Sequence, residues 1–253
     1  MEQLSILPVR DFPLIKQGDD LAHAIREACD RTGLPLQTGD VIVLAQKIVS
    51  KSEGRLVRLS EVTPSQRAIE LAQQCAKDPR LVELVLSEAS AVMRVRPGVL
   101  IVRHRLGLVL ANAGIDQSNI SHEDGEQALL LPVDPDASAE RIRQSIARFC
   151  GVDVGVLIID SLGRAWRMGT TGTAIGAAGL PTLLDLRGRD DLYGRKLQTS
   201  ELGYADEVAA AASLMMGQAN EGTPVVIVRG LKTVAPTGRA TDLVRPAEKD
   251  LFP

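Results

Sequence analysis

Three short aliphatic runs constrain this chain more than any other feature. Val41-Ile42-Val43-Leu44-Ala45, Val154 to Ile159 and Pro224 to Val228 are brief and rich in β-branched residues. Such runs favour buried strands over helices. Between them the pattern turns helical. Asp19 and Asp20 stand before Leu21, Ala24, Ile25, Ala28 and Cys29, with Gly33 behind, which predicts a capped amphipathic helix over 19–32. Thr63-Pro64-Ser65-Gln66 supplies a cap, an N1 proline and a capping-box glutamine for a helix over 64–77, and Asp78-Pro79 repeats the start signal for 79–87. Asp136-Ala-Ser138 reads as the cap of a helix that presents Ile142, Ile146 and Phe149 on one face and ends at Gly151. Thr199 to Met216 reads as one long helix of about 27 Å at 1.5 Å per residue.

The remaining segments point to antiparallel pairing. Met93 to Arg96, Pro97-Gly98 and Val99 to Arg103 form a hairpin pattern. Leu108 to Leu110 begins a strand that enters Ala111-Asn112-Ala113-Gly114-Ile115-Asp116, and Ala128 to Leu131 reads as another. The polar, glycine-rich stretch from Gly163 to Gly176 cannot be regular structure throughout. No repeat, linker or sustained βαβ alternation interrupts the chain. The expectation is an α+β fold of mixed, largely antiparallel sheets with flanking helices, in one module over 1–253.

Apolar residues make up 45% of the chain and aromatics only 2%, so the core has to be aliphatic. A net charge of −3 lacks the basic footprint that polynucleotide backbones require, which argues against nucleic acid as a partner. Cys29, Cys75 and Cys150 are odd in number, far apart and set in helical patterns, so they read as core thiols in a reducing cytoplasm. No run approaches the roughly 20 apolar residues of a membrane span.

Chemistry has to come from oxygen ligands and cations. His23, His104 and His122 stand in no ligand spacing with another His or Cys, which leaves zinc unsupported. Asp116, in a loop after a strand, and Asp160, closing the run 154–159, could project into one cleft as ligands of magnesium or manganese. Ser161 and Gln218 could add neutral oxygens. An Asx-turn for Asp116 and a cap for Asp160 are the structural alternatives. Phosphate has two candidate seats, and a Walker A loop is not one of them. Gly188 to Lys196 has the wrong spacing for a Walker A loop. Gly169-Thr-Thr-Gly172-Thr-Ala-Ile-Gly176, after Arg164 and Arg167, reads either as a backbone nest for anions or as a tight surface loop. Lys47 and Lys51, four apart, either clamp phosphate together or form a solvated basic edge. Asp206 and Glu207 read as helix-stabilising acids, and Asn112 and Asn119 read equally well as turn residues. A nicotinamide- or nucleotide-binding oxidoreductase built on Gly169, Gly172 and Gly176, with Asp190 downstream, is the rival reading. The eight residues from Ser161 to Met168 separate its first glycine from the strand, whereas a dinucleotide turn begins at the strand end.

Several segments, in order along nearly the whole chain, resemble the coenzyme F420:L-glutamate ligase family. They are Gly39-Asp-Val-Ile-Val with Lys47-Ile-Val-Ser-Lys51-Ser-Glu-Gly-Arg55, Ala111-Asn-Ala-Gly-Ile-Asp116-Gln-Ser-Asn119, and Leu131-Pro-Val-Asp-Pro-Asp-Ala-Ser138. Asp160-Ser-Leu-Gly-Arg-Ala-Trp-Arg-Met-Gly169, Ala205-Asp-Glu-Val-Ala-Ala-Ala-Ala212, Met216-Gly-Gln218 and Pro224-Val-Val-Ile-Val-Arg-Gly230 complete the set.

The resemblance implies a GTP-dependent ligase that joins L-glutamate to the carboxylate of a deazaflavin precursor and then extends a γ-linked oligoglutamate tail, releasing GDP and phosphate. It implies magnesium or manganese at two sites, potassium, and an intertwined homodimer. Asp116 and Asp160 match the catalytic first metal position, and Ser161 with Gln218 the second. Phe12, Pro13, Leu14, Ile15, Gln46, Lys51 and Asn119 match GTP-binding positions. So do Met216, Gly217, Gln218, Ala219, Asn220, Glu221, Gly222 and Thr223. The chain resembles the single-module form, without the flavin-binding reductase-like domain of some relatives. His122 to Glu126 carries no assigned role.

Overall fold

The computed structural model describes residues 3–120, 125–232 and 235–250. Most of the His122 to Glu126 loop lies outside the described residues. The chain runs through β1 (Ser5–Pro8), α1 (Leu21–Arg31), β2 (Val41–Ala45) and, with no intervening loop, α2 (Gln46–Ser52). It continues with β3 (Leu56–Arg58), α3 (Gln66–Cys75), α4 (Pro79–Glu88), β4 (Ala89–Arg96), β5 (Val99–His104), β6 (Val109–Ala111) and β7 (Gln127–Leu129). Then follow α5 (Pro135–Cys150), β8 (Gly155–Arg164), β9 (Arg167–Ala178), β10 (Leu184–Asp185), β11 (Glu201–Leu202), α6 (Tyr204–Met216) and β12 (Val225–Arg229).

The three aliphatic runs are the middle of a five-stranded sheet in the order β1-β12-β2-β8-β9. Only β2 and β8 are parallel; every other pairing in the sheet is antiparallel. These strands show no alternation of apolar and polar residues because both faces are covered. Ile42, Leu44, Val156, Ile158, Val225 and Ile227 turn to one face, under α1 and α5. Val41, Val43, Leu157, Ile159, Val226 and Val228 turn to the other, under α6. Each fully buried aliphatic side chain of this kind contributes roughly 1.5–3 kcal/mol. A second core lies beneath the three-stranded sheet β4-β5-β6, where Leu71, Cys75, Val82 and Val85 of α3 and α4 meet Leu100 and Val102. The α+β expectation holds. Among the described residues, no helix is long and apolar enough to cross a membrane.

Several local expectations are corrected. The stretch from Gly163 to Gly176 breaks regular structure only at the Ala165-Trp166 turn: β8 runs on past Ile159 to Arg164 and returns as β9, paired from Arg164–Arg167 back to Val156–Ala178. Its glycines are there for packing. A Cβ on Gly172 would stand 2.5 Å from the Ala209 carbonyl oxygen of α6, and one on Gly176 would stand 2.5 Å from the Pro135 carbonyl of α5. Helices settle this closely on a strand only where side chains are missing. Thr199 to Met216 is not one helix, because α6 starts at Tyr204 after the short strand β11. The α5 cap is Asp134, whose carboxylate accepts from Ala137 N, with Pro135 in the first turn. Asp136 instead lies buried and accepts from the backbone of Ala177, Ala240 and Thr241, tying α5 to β9 and to the C-terminal segment. Ser65 caps α3 in place of Thr63, which leaves Gln66 in the first turn rather than at the box position. Phe149 faces solvent while Ile142 and Ile146 are buried.

One charged cluster ties the two cores together. Glu88, almost fully buried at the end of α4, receives Arg55 at 2.8 Å and Arg105 at 3.1 Å. His104 Nε2 is 3.3 Å away but off the line of a good hydrogen bond. Leu106 N donates to His104 Nδ1, so a neutral ring carries its proton on Nε2, facing the carboxylate. Burial alone would raise the Glu88 pKa, but these partners outweigh it and bring it to about 2.

Candidate active site

Sheet topology brings distant pieces of the chain to one edge. β1 and β2 both end there, β12 begins there, and β8 passes through it beside the end of β2, where Ala45 pairs with Ile159. The segment after β1, helix α2, the middle of β8 and the loop between α6 and β12 therefore share one opening, at the carboxyl ends of the parallel pair. Ligands of open sheets bind at such an edge. The cavity is about 860 Å³, a size suited to a nucleotide-sized ligand.

Asp116 reaches this edge through an unusual turn. Asn112, Ala113 and Gly114 have φ of 52°, 54° and 68°, three successive left-handed residues of which only the last is glycine. Strain of this sort persists where packing over-determines it. Ala113 is fully buried, and Leu131 closes over Gly114 so tightly that a Cβ there would meet its Cδ1 at 2.9 Å. The turn hands the chain to Asp116, whose backbone pairs with Leu129 in both directions. Asp116 Oδ1 accepts from Ser118 N at 2.7 Å, and Oδ2 receives Lys47 Nζ at 2.7 Å.

Two lysines on one face of α2 hold the 116–119 loop. Lys47 also donates to Ser118 Oγ at 2.8 Å, and Lys51 donates to the Asn119 carbonyl at 2.8 Å. Asn119, itself left-handed at φ 55°, donates from Nδ2 to the Ala219 carbonyl at 3.0 Å. The loop is thus moored to α2 on one side and to the 217–223 loop on the other.

Asp160 lies close enough to Asp116 for the two charges to act on one another. Burial and then the Asp116 charge raise its pKa to about 6, against the opposing effects of the Ser161 backbone N–H at 2.8 Å and of Lys47. Asp116 is pushed up by burial, yet its hydrogen bonds from Lys47 and Ser118 hold it below the usual carboxylate range. The pair is driven apart. One acid is held as a carboxylate below the usual range, while its neighbour ionises only as the pH rises through about 6.

Every site residue that the family resemblance implies lines this cavity. Phe12, Pro13, Leu14 and Ile15 form one wall, with Leu14 90% exposed at the rim. Gln46 and Lys51 come from α2, Asp116 and Asn119 from the moored loop, and Asp160 and Ser161 from β8. Met216 ends α6, and Gly217, Gln218, Ala219, Asn220, Glu221, Gly222 and Thr223 make the facing loop. Gly217 has φ of 73° and ends the helix, and Glu221 bonds back to Ala219 N at 2.8 Å. Gln46 is buried, with Oε1 accepting from Ser50 Oγ. The Asx-turn reading of Asp116 holds: Ser118 N sits on Oδ1, and the turn leaves Oδ2 aimed at Lys47. Sequence reasoning missed Ser118, Thr170 and Ser213, three hydroxyl residues that line the cavity without a motif to flag them.

Two alternatives are corrected. Gly169, Gly172 and Gly176 lie within β9, so they form no strand-to-helix turn for a dinucleotide and no anion nest. Lys47 and Lys51 are not a solvated edge, because both are half-buried and bonded inward.

Two acids and two inward lysines line one cavity at a sheet edge, beside a glycine-punctuated loop, an arrangement of the kind enzymes of the α+β class carry. The description F420-0:gamma-glutamyl ligase belongs to the family model that matches residues 10–230. A relative from Methanothermobacter thermautotrophicus named coenzyme F420:L-glutamate ligase is 45% identical over 98% of both chains. Relatives of the same name from Methanopyrus kandleri and Archaeoglobus fulgidus are 44% and 43% identical. The first match covers all of both chains, and the second covers 99% of this chain and 96% of that one. The chain belongs to the F420-0:gamma-glutamyl ligase family, and it is a ligase.

Proposed function

We propose that this ligase adds L-glutamate to the coenzyme F420 precursor and extends a γ-linked glutamate tail, with GTP as the energy source. The observation that carries the reading is the meeting of Asp116 and Asp160, 44 positions apart in sequence, beside two lysines in one cavity. A carboxylate is inert to an amine until one of its oxygens becomes a good leaving group. In the proposed sequence an acceptor carboxylate oxygen attacks the γ-phosphorus, the bond from that phosphorus to the β-bridging oxygen breaks, and GDP departs. The glutamate amine then attacks the acyl carbon of the acyl phosphate, phosphate leaves with the C–O electron pair, and the amine gives up a proton.

The residues present suit magnesium or manganese. Among the described residues no three His, Cys, Asp or Glu side chains converge on one point, so an all-protein cage of acids is absent there. A two-carboxylate site completed by Ser161, Gln218, water and phosphate oxygens matches the habit of magnesium. Asp160 is buried and lies within reach of the Asp116 charge, so a cation held between the two would favour its ionised form. When bound, two such ions, with potassium beside them, would neutralise phosphate charge as it shifts. The chain's own groups do the positioning. Lys51 supplies a fixed positive charge, Asn119 locks the loop to Ala219, and the 217–223 loop provides backbone and Gln218 oxygens.

A homodimer in the cytoplasm is part of the proposal. Trp166 and Met168 at the β8–β9 tip, and Leu192 and Tyr193 in the arm between β10 and β11, are 87–99% exposed, apolar surface that a second copy would cover. Its three unpaired thiols suit a reducing compartment.

The test is mass spectrometry of the deazaflavin after incubation of the purified chain with precursor, L-glutamate, GTP and MnCl2. Successive glutamyl additions with matching GDP release are expected, and none with Asp116→Ala or Asp160→Ala. Full activity in either variant, or no glutamyl product from the wild type, would overturn the assignment.

A further inference from the structure

Asp116 has both carboxylate oxygens in use. Oδ1 accepts from Ser118 N at 2.7 Å and Oδ2 receives Lys47 Nζ at 2.7 Å, while the same ammonium holds Ser118 Oγ at 2.8 Å. A hard divalent ion approaches a carboxylate oxygen at about 2.0–2.1 Å. At Oδ2 it would stand beside the ammonium, two positive charges on one oxygen in a half-buried place where water screens them poorly.

We propose that Lys47 is a built-in counter-ion that competes with the divalent cation for Asp116 and is displaced when the cation binds. The inference rests on the metal-site reading above. In the structure Lys47 keeps the 116–119 loop in its working shape with a positive charge from the chain itself. The loop survives the exchange because its other moorings do not involve Lys47: Lys51 holds the Asn119 carbonyl, Asn119 holds Ala219, and Asp116 pairs with Leu129 through its backbone. Once released, the Lys47 ammonium becomes available to an anion entering the same cavity. Cation and anionic ligand then bind cooperatively, each removing an obstacle to the other. Lys47 is in this sense a positioning residue whose removal has two opposite effects, tighter binding of the lone cation and poorer turnover.

Isothermal titration of the full-length chain with MnCl2, without nucleotide, tests this. Lys47→Met keeps the aliphatic stem and removes the charge, and Lys47→Gln is a second variant should the first fold poorly. Removing a close competing charge is expected to tighten Mn2+ binding about tenfold, the equivalent of one pKa unit. Lys51→Met removes a charge from the same face and loosens the loop at Asn119 without touching Asp116, so it should not tighten Mn2+ binding by more than about twofold. A purely structural role for Lys47 would move the result the other way, since a loosened loop binds the ion more weakly. Unchanged or weaker Mn2+ binding in both Lys47 variants, with wild-type binding abolished by Asp116→Asn, overturns the competition and leaves the metal site standing. Wild-type binding that is absent, or indifferent to Asp116→Asn and Asp160→Asn, overturns both.

Discussion

Asp160→Asn should make the metal-free protein more stable near neutral pH. The Asp160 carboxyl titrates at about 6 in the folded chain against an ordinary value of 3.8. A raised acid pKa means that the folded state holds the proton more tightly than the unfolded state. Stability is therefore lost as pH rises from 3.8 through 6, and the loss is complete above 6. Two pH units correspond to about 3 kcal/mol, which we reduce to about 2 kcal/mol because the side chain keeps some exposure to solvent. The amide retains an oxygen for the Ser161 N–H, so little is lost in exchange. For a chain of this size the gain amounts to a melting temperature higher by about 4–8 °C. Thermal melts in a chelator would show the gap near neutral pH, shrinking below about pH 6 and nearly closed by about pH 4. Saturating Mn2+ should reverse the order, because only the wild type gains binding energy. A variant less stable than wild type in chelator at neutral pH, or a gap that ignores pH, would refute the reasoning.

Glu88 behaves in the opposite way: its pKa of about 2 against 4.5 stabilises the fold above 4.5 and is lost as pH falls toward 2. Glu88→Gln should cost about 3 kcal/mol in chemical denaturation near neutral pH, with the difference closing in acid. Gly176→Ala places a methyl 2.5 Å from the Pro135 carbonyl and should cost about 1–3 kcal/mol by the same measurement. Asn119→Ala removes the bond to Ala219 and should raise the nucleotide KM about fivefold, the worth of roughly 1 kcal/mol, with a smaller change in kcat by steady-state kinetics.

What the sequence disclosed depended on how local the signal was. The helix over 19–32 and the strands at 41–45, 154–159 and 224–228 were legible because caps and aliphatic runs act within a few residues. The return strand β9 was not, because Thr-Thr-Gly-Thr-Ala-Ile-Gly has the composition of a loop. Its glycines answer to α5 and α6, which approach from elsewhere in the chain. The start of α6 failed likewise, with the polar residues from Thr199 onward continuing a helical pattern that β11 interrupts. At the site, the identities of Asp116, Asp160, Lys51 and Asn119 came from motifs. Their arrangement did not: nothing local to Asn112-Ala113-Gly114 announces three left-handed residues in succession. That Lys47 binds Asp116, across 69 positions, is a consequence of the folded chain alone.

The most direct test is where the metal goes. Crystals of the wild-type chain grown with MnCl2 and a non-hydrolysable GTP analogue, measured at a wavelength where manganese scatters anomalously, should give a peak bridging the Asp116 and Asp160 carboxylates. A second peak is expected near Ser161 and Gln218, with the triphosphate against both. Manganese found elsewhere, or a nucleotide bound with neither aspartate near a metal, would contradict the account.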